Sequence, residues 1–164
     1  MRPLLKEPIC LKAAWDKSIL HRQRSTIICS VDQTVMSNID IIKGLYQAFE
    51  RGDLNSVLDV LDPNVEWIES EGIPYGGTFI GREAVLNGVF LKIGADWDDF
   101  IAHVDEFLDA GDTIVTLGYD SGTYKATGKS MRAPTASVWT LKDGLVVKFV
   151  QYIDTLKVVE ALSI

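Results

Sequence analysis

The sequence has few of the residues from which metal centres and disulfide frameworks are built. Its two cysteines, Cys10 and Cys29, both lie near the N-terminus, and its only histidines are His21 and His103. No Cys/His cluster has the spacing of metal ligands, so we expect no metal site. A disulfide that staples the fold is also disfavoured, because most of the chain lies beyond both cysteines.

Long apolar runs and an excess of positive charge are also missing. No stretch approaches the about 20 apolar residues that a membrane-spanning helix needs, and the formal net charge is −7. Such a chain is poorly suited to bind nucleic acid or an anionic membrane. With 164 residues, of which 47% are hydrophobic and 24% charged, the composition is typical of one soluble domain, which we expect to be cytoplasmic.

The charge divides the chain into two parts. Residues 1–36 carry six Lys/Arg and three acids, a net charge of +3. Because the whole chain carries −7, the remaining residues carry −10. This segment has no clean helical or strand period, whereas Ser37 followed by Asp40 is typical of a helix start. We therefore predict a basic N-terminal extension over 1–36 and a folded domain over 37–164. An over-long gene start before Met36, a targeting peptide and a loosely ordered tail all remain open for the extension.

Periodicity predicts three helices in the first half of the domain. They cover about 38–50, about 54–61 and 81–94. Between them, "NVEWIES" (64–70) predicts a strand. "EGIPYGGTF" (71–79) predicts a loop, either a mobile lid with glycine hinges or an ordinary connection.

From Trp97 onward the pattern changes to that of strands. Four strand-like runs are separated by the turn signals "AGD", "TGK" and "KDG", which predicts an antiparallel meander. "TLKVVEAL" (155–162) predicts a closing helix. Helices segregated from an antiparallel sheet define an α+β domain. A long, bent sheet wrapped against the helices would make a cone with an apolar mouth.

Three segments resemble a known family: "IIKGLYQAFERGDLNSVLDVLDPNVEW", "GREAVLNGVF" and "TLKDGLVVKFVQYIDT". They are similar to the SnoaL-like branch of the nuclear-transport-factor-2-like superfamily, which is related to ketosteroid isomerases, polyketide cyclases and limonene-epoxide hydrolases. The resemblance covers about 37–163. It implies a cone-shaped α+β fold with a strongly curved sheet, about three N-terminal helices and a short C-terminal helix. It also implies a deep pocket, a homodimer formed through the sheet, and chemistry that needs no cofactor.

The residues matched to ketosteroid isomerases depart from that family's pattern. The oxyanion-donating tyrosine falls on Leu45, one residue from Tyr46, and the general-base aspartate falls near Trp67. The second oxyanion donor falls on Ala136. Steroid isomerisation by that mechanism is therefore not expected.

The match to limonene-epoxide hydrolases retains more of the family's functional residues than the match to ketosteroid isomerases does. It places the two aspartates of that family on Asp120 and Asp154, but its bridging arginine falls on Gly118 and its asparagine falls near Trp67. The resemblance thus implies two carboxylates without the cation between them. Many SnoaL-like proteins carry a histidine where this chain has Ser137.

The two aspartates each allow two interpretations. Asp154 ends the apolar run "FVQYIDT", where it is a pocket acid–base group, the N-cap of the closing helix, or both. Asp120 faces either solvent or the pocket, where a second carboxylate would separate their pKa values into an acid/base pair. Strand alternation puts Gln151 on the face opposite Tyr152 and Asp154.

Aromatic residues are dispersed along the domain, and some are expected to select a flat, apolar or aromatic ligand. The predicted pocket lining is Tyr46, Trp67, Tyr75, Phe90, Trp97, Trp139 and Tyr152. The first hypothesis is a cofactor-independent cyclase, isomerase or hydrolase with Asp154 as acid/base and Tyr46 and Tyr152 as donors. The alternatives are a non-catalytic ligand-binding module and a dimeric protein-interaction domain. His103 is expected at the rim or on the dimer face.

Overall fold

Helices and one six-stranded sheet form the part of the chain that this computed structural model describes, residues 36–163. The predictions for residues 1–35 lie outside the described residues. The elements are α1 (Asn38–Glu50), α2 (Leu54–Asp59), β1 (Leu61–Glu69), β2 (Gly77–Ile80), α3 (Arg82–Val85), a π-helical segment (Leu86–Phe90), α4 (Leu91–Asp96), β3 (Trp97–Ala110), β4 (Thr113–Tyr124), β5 (Ser130–Lys142), β6 (Leu145–Ile153) and α5 (Thr155–Leu162).

The first helix begins where its cap predicts. The Ser37 hydroxyl accepts a hydrogen bond from the backbone N–H of Asp40 at 3.3 Å, which satisfies a donor that has no partner inside the helix. The apolar face of α1 then buries Ile42, Leu45 and Ala48 against the sheet. Both predicted bounds of this helix are confirmed.

The sheet has the strand order β2-β1-β6-β5-β4-β3. The predicted antiparallel meander, β3 to β6, is confirmed, and so is the α+β class with a curved sheet. One pairing was not predicted: β1 runs parallel to β6, with Trp67 beside Phe149. Parallel neighbours need a long connection, and here β2, the helical segments that follow it and strands β3 to β5 lie between the two strands.

The start of β1 differs from its prediction. The second helix ends at Asp59, and β1 begins at Leu61 and passes through Pro63. The pairing with β6 is irregular between Leu61 and Glu66, so the proline, which lacks an N–H, falls outside the regular ladder. The predicted 71–79 loop also ends in a short strand, β2, which pairs with β1.

The predicted third helix lies where it was expected, but it is not one continuous α-helix. A π-helical segment separates α3 from α4, and π turns are frequent at functional sites. Gly88 lies inside this segment, and a Cβ atom there would come within 2.3 Å of the Phe79 ring. The glycine therefore lets β2 and the helix approach closely.

Two bulges and Gly118 produce a tight approach between β3 and β4. The register shifts between Asp98 and Ile101 and again between Val104 and Glu106. Gly118 lies opposite the second shift, and a Cβ atom on it would come within 1.9 Å of the carbonyl oxygen of His103. Bulges bend the strand that carries them, so this contact helps to curve the sheet around its core.

We expect Gly118→Ala to destabilise the domain by about 3 kcal/mol, because the added methyl group meets backbone that cannot move without breaking the bulge. The measurement is urea unfolding followed by tryptophan fluorescence. Gly44→Ala is the matched control, since a Cβ atom at that position in α1 meets nothing within 4 Å. It should raise the free energy of unfolding by about 0.5–1 kcal/mol. Equal stability of the two variants would contradict the argument.

Candidate functional site

A cavity of about 650 Å³ lies between the concave face of the sheet and the helices. Its walls come from α1, α2 and the turn between them, the 71–79 loop, the π-helical segment, α4, α5 and all the strands except β2. Six of the seven aromatic residues predicted to line a pocket lie on its wall: Tyr46, Trp67, Tyr75, Phe90, Trp97 and Trp139.

The aromatic wall is held by ring-to-ring contacts. The Trp67 ring stacks on Phe149 with centroids 3.8 Å apart and an interplanar angle of 27°. Trp139 and Phe90 meet Trp67 edge-on, with centroids 5.7 Å and 5.3 Å away. Such pairs stabilise beyond their buried area, so this part of the cavity wall is firmly packed.

Asp154 and Tyr152 do not line this cavity, and the prediction that they do is wrong. Alternation along β6 turns Phe149, Gln151 and Ile153 toward the cavity, whereas Tyr152 is 61% exposed and Asp154 is exposed on the other side. The Asp154 carboxylate accepts a hydrogen bond from the backbone N–H of Lys157 at 3.4 Å. Of the two interpretations of Asp154, the structure therefore shows the N-cap of α5.

Asp120 is the aspartate that lines the cavity. It lies on β4 and is only 6% exposed, and its Oδ2 accepts a hydrogen bond from Gln151 Nε2 at 3.1 Å. Burial raises the pKa of the Asp120 carboxyl to about 7, and the hydrogen bond from Gln151 opposes this rise. Gln151, rather than Asp154, thus faces Asp120 from the last strand.

Glu69 is a second buried carboxyl group that the sequence reasoning missed. It ends β1, is 5% exposed, and its Oε1 accepts a hydrogen bond from Trp67 Nε1 at 2.6 Å. Burial raises the pKa of Glu69 to about 7; the indole hydrogen bond opposes this rise, and the charge of Asp120 adds to it. The signal was present, because strand alternation puts Val65, Trp67 and Glu69 on one face.

A hydroxyl group also lines the same cavity. The Tyr46 hydroxyl lies 3.0 Å from Thr116 Oγ1, which in turn accepts a hydrogen bond from Trp139 Nε1 at 3.2 Å. Burial raises the pKa of Tyr46 to about 12, so its hydroxyl stays neutral and able to donate.

The predicted loop over 71–79 is held down by Tyr75. Its hydroxyl donates to Asp96 Oδ2 at 2.8 Å and accepts from Trp97 Nε1 at 2.9 Å. Tyr75 is 4% exposed, and Ile73 of the same loop also lines the cavity. The hydrogen bonds therefore fasten one wall of the cavity to the end of α4.

The arrangement can transfer protons near neutral pH. Two carboxyl groups titrating at about 7 can exchange a proton with a bound molecule without a large energetic penalty.

His103 lies at the rim, where its Nε2 is 3.2 Å from Asp105 Oδ1. Among residues 36–163, no group of three or more His, Cys, Asp or Glu side chains is arranged to hold a metal ion. The helices in that range include none long and apolar enough to cross a membrane.

Comparison with known proteins identifies the family. The model of the SnoaL-like domain matches residues 42–149. The chain belongs to this family. The resemblance stated from the sequence is thereby confirmed, and the similar solved structures have the nuclear-transport-factor-2-like fold.

Three solved structures illustrate that likeness. An NTF2-like protein from Burkholderia thailandensis is 35% identical, with a TM-score of 0.76 and coverage of 79% of this chain and 99% of the other. An NTF2-like protein of unknown function from Burkholderia pseudomallei is 31% identical, with a TM-score of 0.73 and coverage of 79% and 100%. TerC, co-crystallised with polyporic acid, is 25% identical, with a TM-score of 0.70 and coverage of 76% and 97%. No protein of curated function matches the chain.

The buried carboxyl groups of this SnoaL-like domain should make its stability fall as the pH rises. The pKa of Asp120 goes from an ordinary 3.8 to about 7 on folding, and that of Glu69 from 4.5 to about 7. Between about pH 4 and 7 the folded state therefore binds protons that the unfolded state has released. Each such group lowers the free energy of unfolding by about 1.4 kcal/mol per pH unit in this window.

Urea unfolding at several pH values between 4.5 and 8 measures this slope. Asp120→Asn and Glu69→Gln should each flatten it relative to the unsubstituted protein, because the amide does not titrate. Glu66→Gln is the control, since Glu66 lies on the same strand but pairs with Lys148 outside the cavity at 2.8 Å. If the slope of unfolding free energy against pH were unchanged in both Asp120→Asn and Glu69→Gln, the two carboxyl groups would not be held protonated by burial.

Removing the Tyr75 hydroxyl should loosen the 71–79 loop, which forms part of the wall of the SnoaL-like cavity. Tyr75→Phe leaves the buried Trp97 indole N–H without its acceptor, which costs about 1–3 kcal/mol, and thermal unfolding measures this loss. Tyr124→Phe is the control, because its ring packs on Trp97 at 5.2 Å while its hydroxyl bonds to none of the described residues. Equal melting temperatures for the two variants would contradict the fastening role.

Proposed function

We propose that this SnoaL-like domain binds a small, mainly apolar or aromatic molecule and acts on it by proton transfer without a cofactor. Asp120 is the acid/base group, and Glu69 is its partner. One observation carries the proposal: two carboxyl groups, each more than nine-tenths buried, line a single aromatic cavity. The acid/base role expected for Asp154 therefore passes to Asp120.

The cavity has the size and lining of a small-molecule site. Its volume of about 650 Å³ lies within the roughly 300–1,000 Å³ typical of ligand pockets. The half-buried aromatic residues of the lining, among them Tyr46, Phe90 and Phe100, suit an apolar or aromatic ring system. TerC, which shares the fold, was co-crystallised with polyporic acid, and this supports a small organic molecule as the ligand.

The proton transfer follows from the hydrogen bonds. Gln151 donates to one oxygen of Asp120, which orients the carboxylate and leaves its other oxygen to take a proton from the bound molecule. The neutral hydroxyl of Tyr46 can donate to an oxygen that gains negative charge. Asp120 or a protonated Glu69 then returns a proton at another position. Isomerisation and ring closure fit this sequence of steps. Hydrolysis of a strained ring uses the same groups differently: Asp120 takes a proton from a water that attacks the ring carbon, and protonated Glu69 donates to the oxygen released as the ring C–O bond breaks.

A non-catalytic ligand-binding module is the second candidate, and one residue favours it. Gly118 stands where the resemblance to limonene-epoxide hydrolases calls for an arginine, and its Cβ position is filled by the backbone of His103. No side chain fits there, so the carboxyl groups lack the cation that those hydrolases place between them. The cavity would then only hold its ligand.

A test that separates these candidates begins with native mass spectrometry of protein purified from its own host. We expect a retained small molecule. We also expect a homodimer mass, since we propose that copies associate through the outer sheet face, which exposes Tyr152. Incubation of the complex with D₂O should then add deuterium to carbon positions of the ligand, because Asp120 exchanges its proton with solvent.

Two substituted variants test which residue catalyses the deuterium exchange. Asp120→Asn should slow deuterium uptake at least about 100-fold, in line with the usual contribution of a general base. Asp154→Asn is the matched control; asparagine caps a helix as well as aspartate does, so uptake and folding should be unchanged. Retention without exchange favours the binding module. Exchange that is lost in Asp154→Asn but not in Asp120→Asn would refute the assignment.

A further inference from the structure

We infer that the cavity selects an organic cation, namely an amine on an aromatic or apolar body, with the ammonium group held against Asp120 and Glu69. The inference deepens the proposed function, because it names the charge of the ligand for that same site. It depends on the charges and the open oxygens of the cavity wall.

The titratable side chains of the cavity wall include acids but no Lys or Arg. They come from α1, β1, the 71–79 loop, β3 and β4: Tyr46, Glu50, Glu69, Tyr75, His103 and Asp120. The lining residues of the π-helical segment, α4, α5, β5 and β6 carry no titratable group. Within the described wall, therefore, no permanently charged cation balances the two carboxyl groups.

Each buried carboxyl group has an oxygen left over for a ligand. Asp120 Oδ2 is bonded to Gln151 and Glu69 Oε1 to Trp67, while Asp120 Oδ1 and Glu69 Oε2 accept no hydrogen bond from the described residues. Among residues 36–163, no fully buried side-chain nitrogen or oxygen lacks a partner. The two open oxygens are therefore reached from the cavity, where an N–H donor would complete them.

A cation is the ligand charge that this wall stabilises most. An unpaired buried carboxylate carries a desolvation penalty that an opposite charge within contact distance offsets. An anionic ligand would instead meet two acids, with only neutral donors such as Gln151 to receive it.

The test uses three probes that share a biphenyl body and carry a cationic, a neutral or an anionic head group: biphenyl-4-ylmethylamine, biphenyl-4-ylmethanol and biphenyl-4-carboxylate. Binding to the full chain is followed by tryptophan fluorescence and by calorimetry at pH 5.5, 7.0 and 8.5. At pH 8.5 the amine should bind at least about tenfold more tightly than the alcohol, and the carboxylate should bind most weakly.

The pH dependence is a second readout. A carboxyl group with a pKa of about 7 is mostly protonated at pH 5.5, so amine affinity should rise roughly 30-fold by pH 8.5 as it ionises. The affinity of the alcohol should not rise. Asp120→Asn and Glu69→Gln should each reduce the preference for the amine, whereas Asp112→Asn, in the turn between β3 and β4, should retain it.

Each outcome decides one point. Equal binding of amine and alcohol, or a preference for the carboxylate, overturns the cation inference and leaves the proposed ligand site intact. No binding of any probe overturns both, because a cavity of this size would then not admit a two-ring molecule. The comparison of probes on the unsubstituted protein decides the matter even where a variant fails to fold.

Discussion

The parallel pairing of β1 with β6 is the constraint on which the site depends. It lays Trp67 on Phe149, which forms the stacked centre of the aromatic wall. It also brings the end of β1, with Glu69, next to the segment of β6 that carries Gln151. Because Gln151 reaches Asp120 from there, both carboxyl groups face the same cavity. Without this pairing, β1 would contribute neither Glu69 nor Trp67 to the cavity wall.

The local elements of this fold could be predicted, because their signals are local. Ser37 and Asp40 define the start of α1, and the three turn signals define the meander. The parallel pairing could not be predicted in this way, since no short turn links β1 to β6. The pattern of each chain segment predicts a strand, but only the folded core decides which strands become neighbours.

The site could be predicted in part, and β6 shows why the rest could not. Alternation correctly separates Gln151 from Tyr152 and Asp154, but it does not say which set faces inward. That choice depends on a register shift in the pairing of β5 with β6, at Thr140/Leu141. Because of the shift, Val146 and Phe149 are both buried although they are three residues apart, so the inward-facing set of β6 side chains changes between them. A one-residue shift reverses every side chain beyond it. Asp154 consequently became a helix cap, and Gln151 took the position facing Asp120.

The charge of the ligand and the chemistry of the site are linked through the same two carboxyl groups. With a neutral ligand, at neutral pH, one carboxyl group can remain protonated and serve as the acid while the other is the base. With a cationic ligand, both are driven toward the ionised form, so neither starts as an acid. Any proton delivered would then come from the ammonium group, from Tyr46, or from Asp120 after it has first taken one. A cationic ligand would therefore favour a reaction that moves one proton between two positions, with a single carboxylate carrying it.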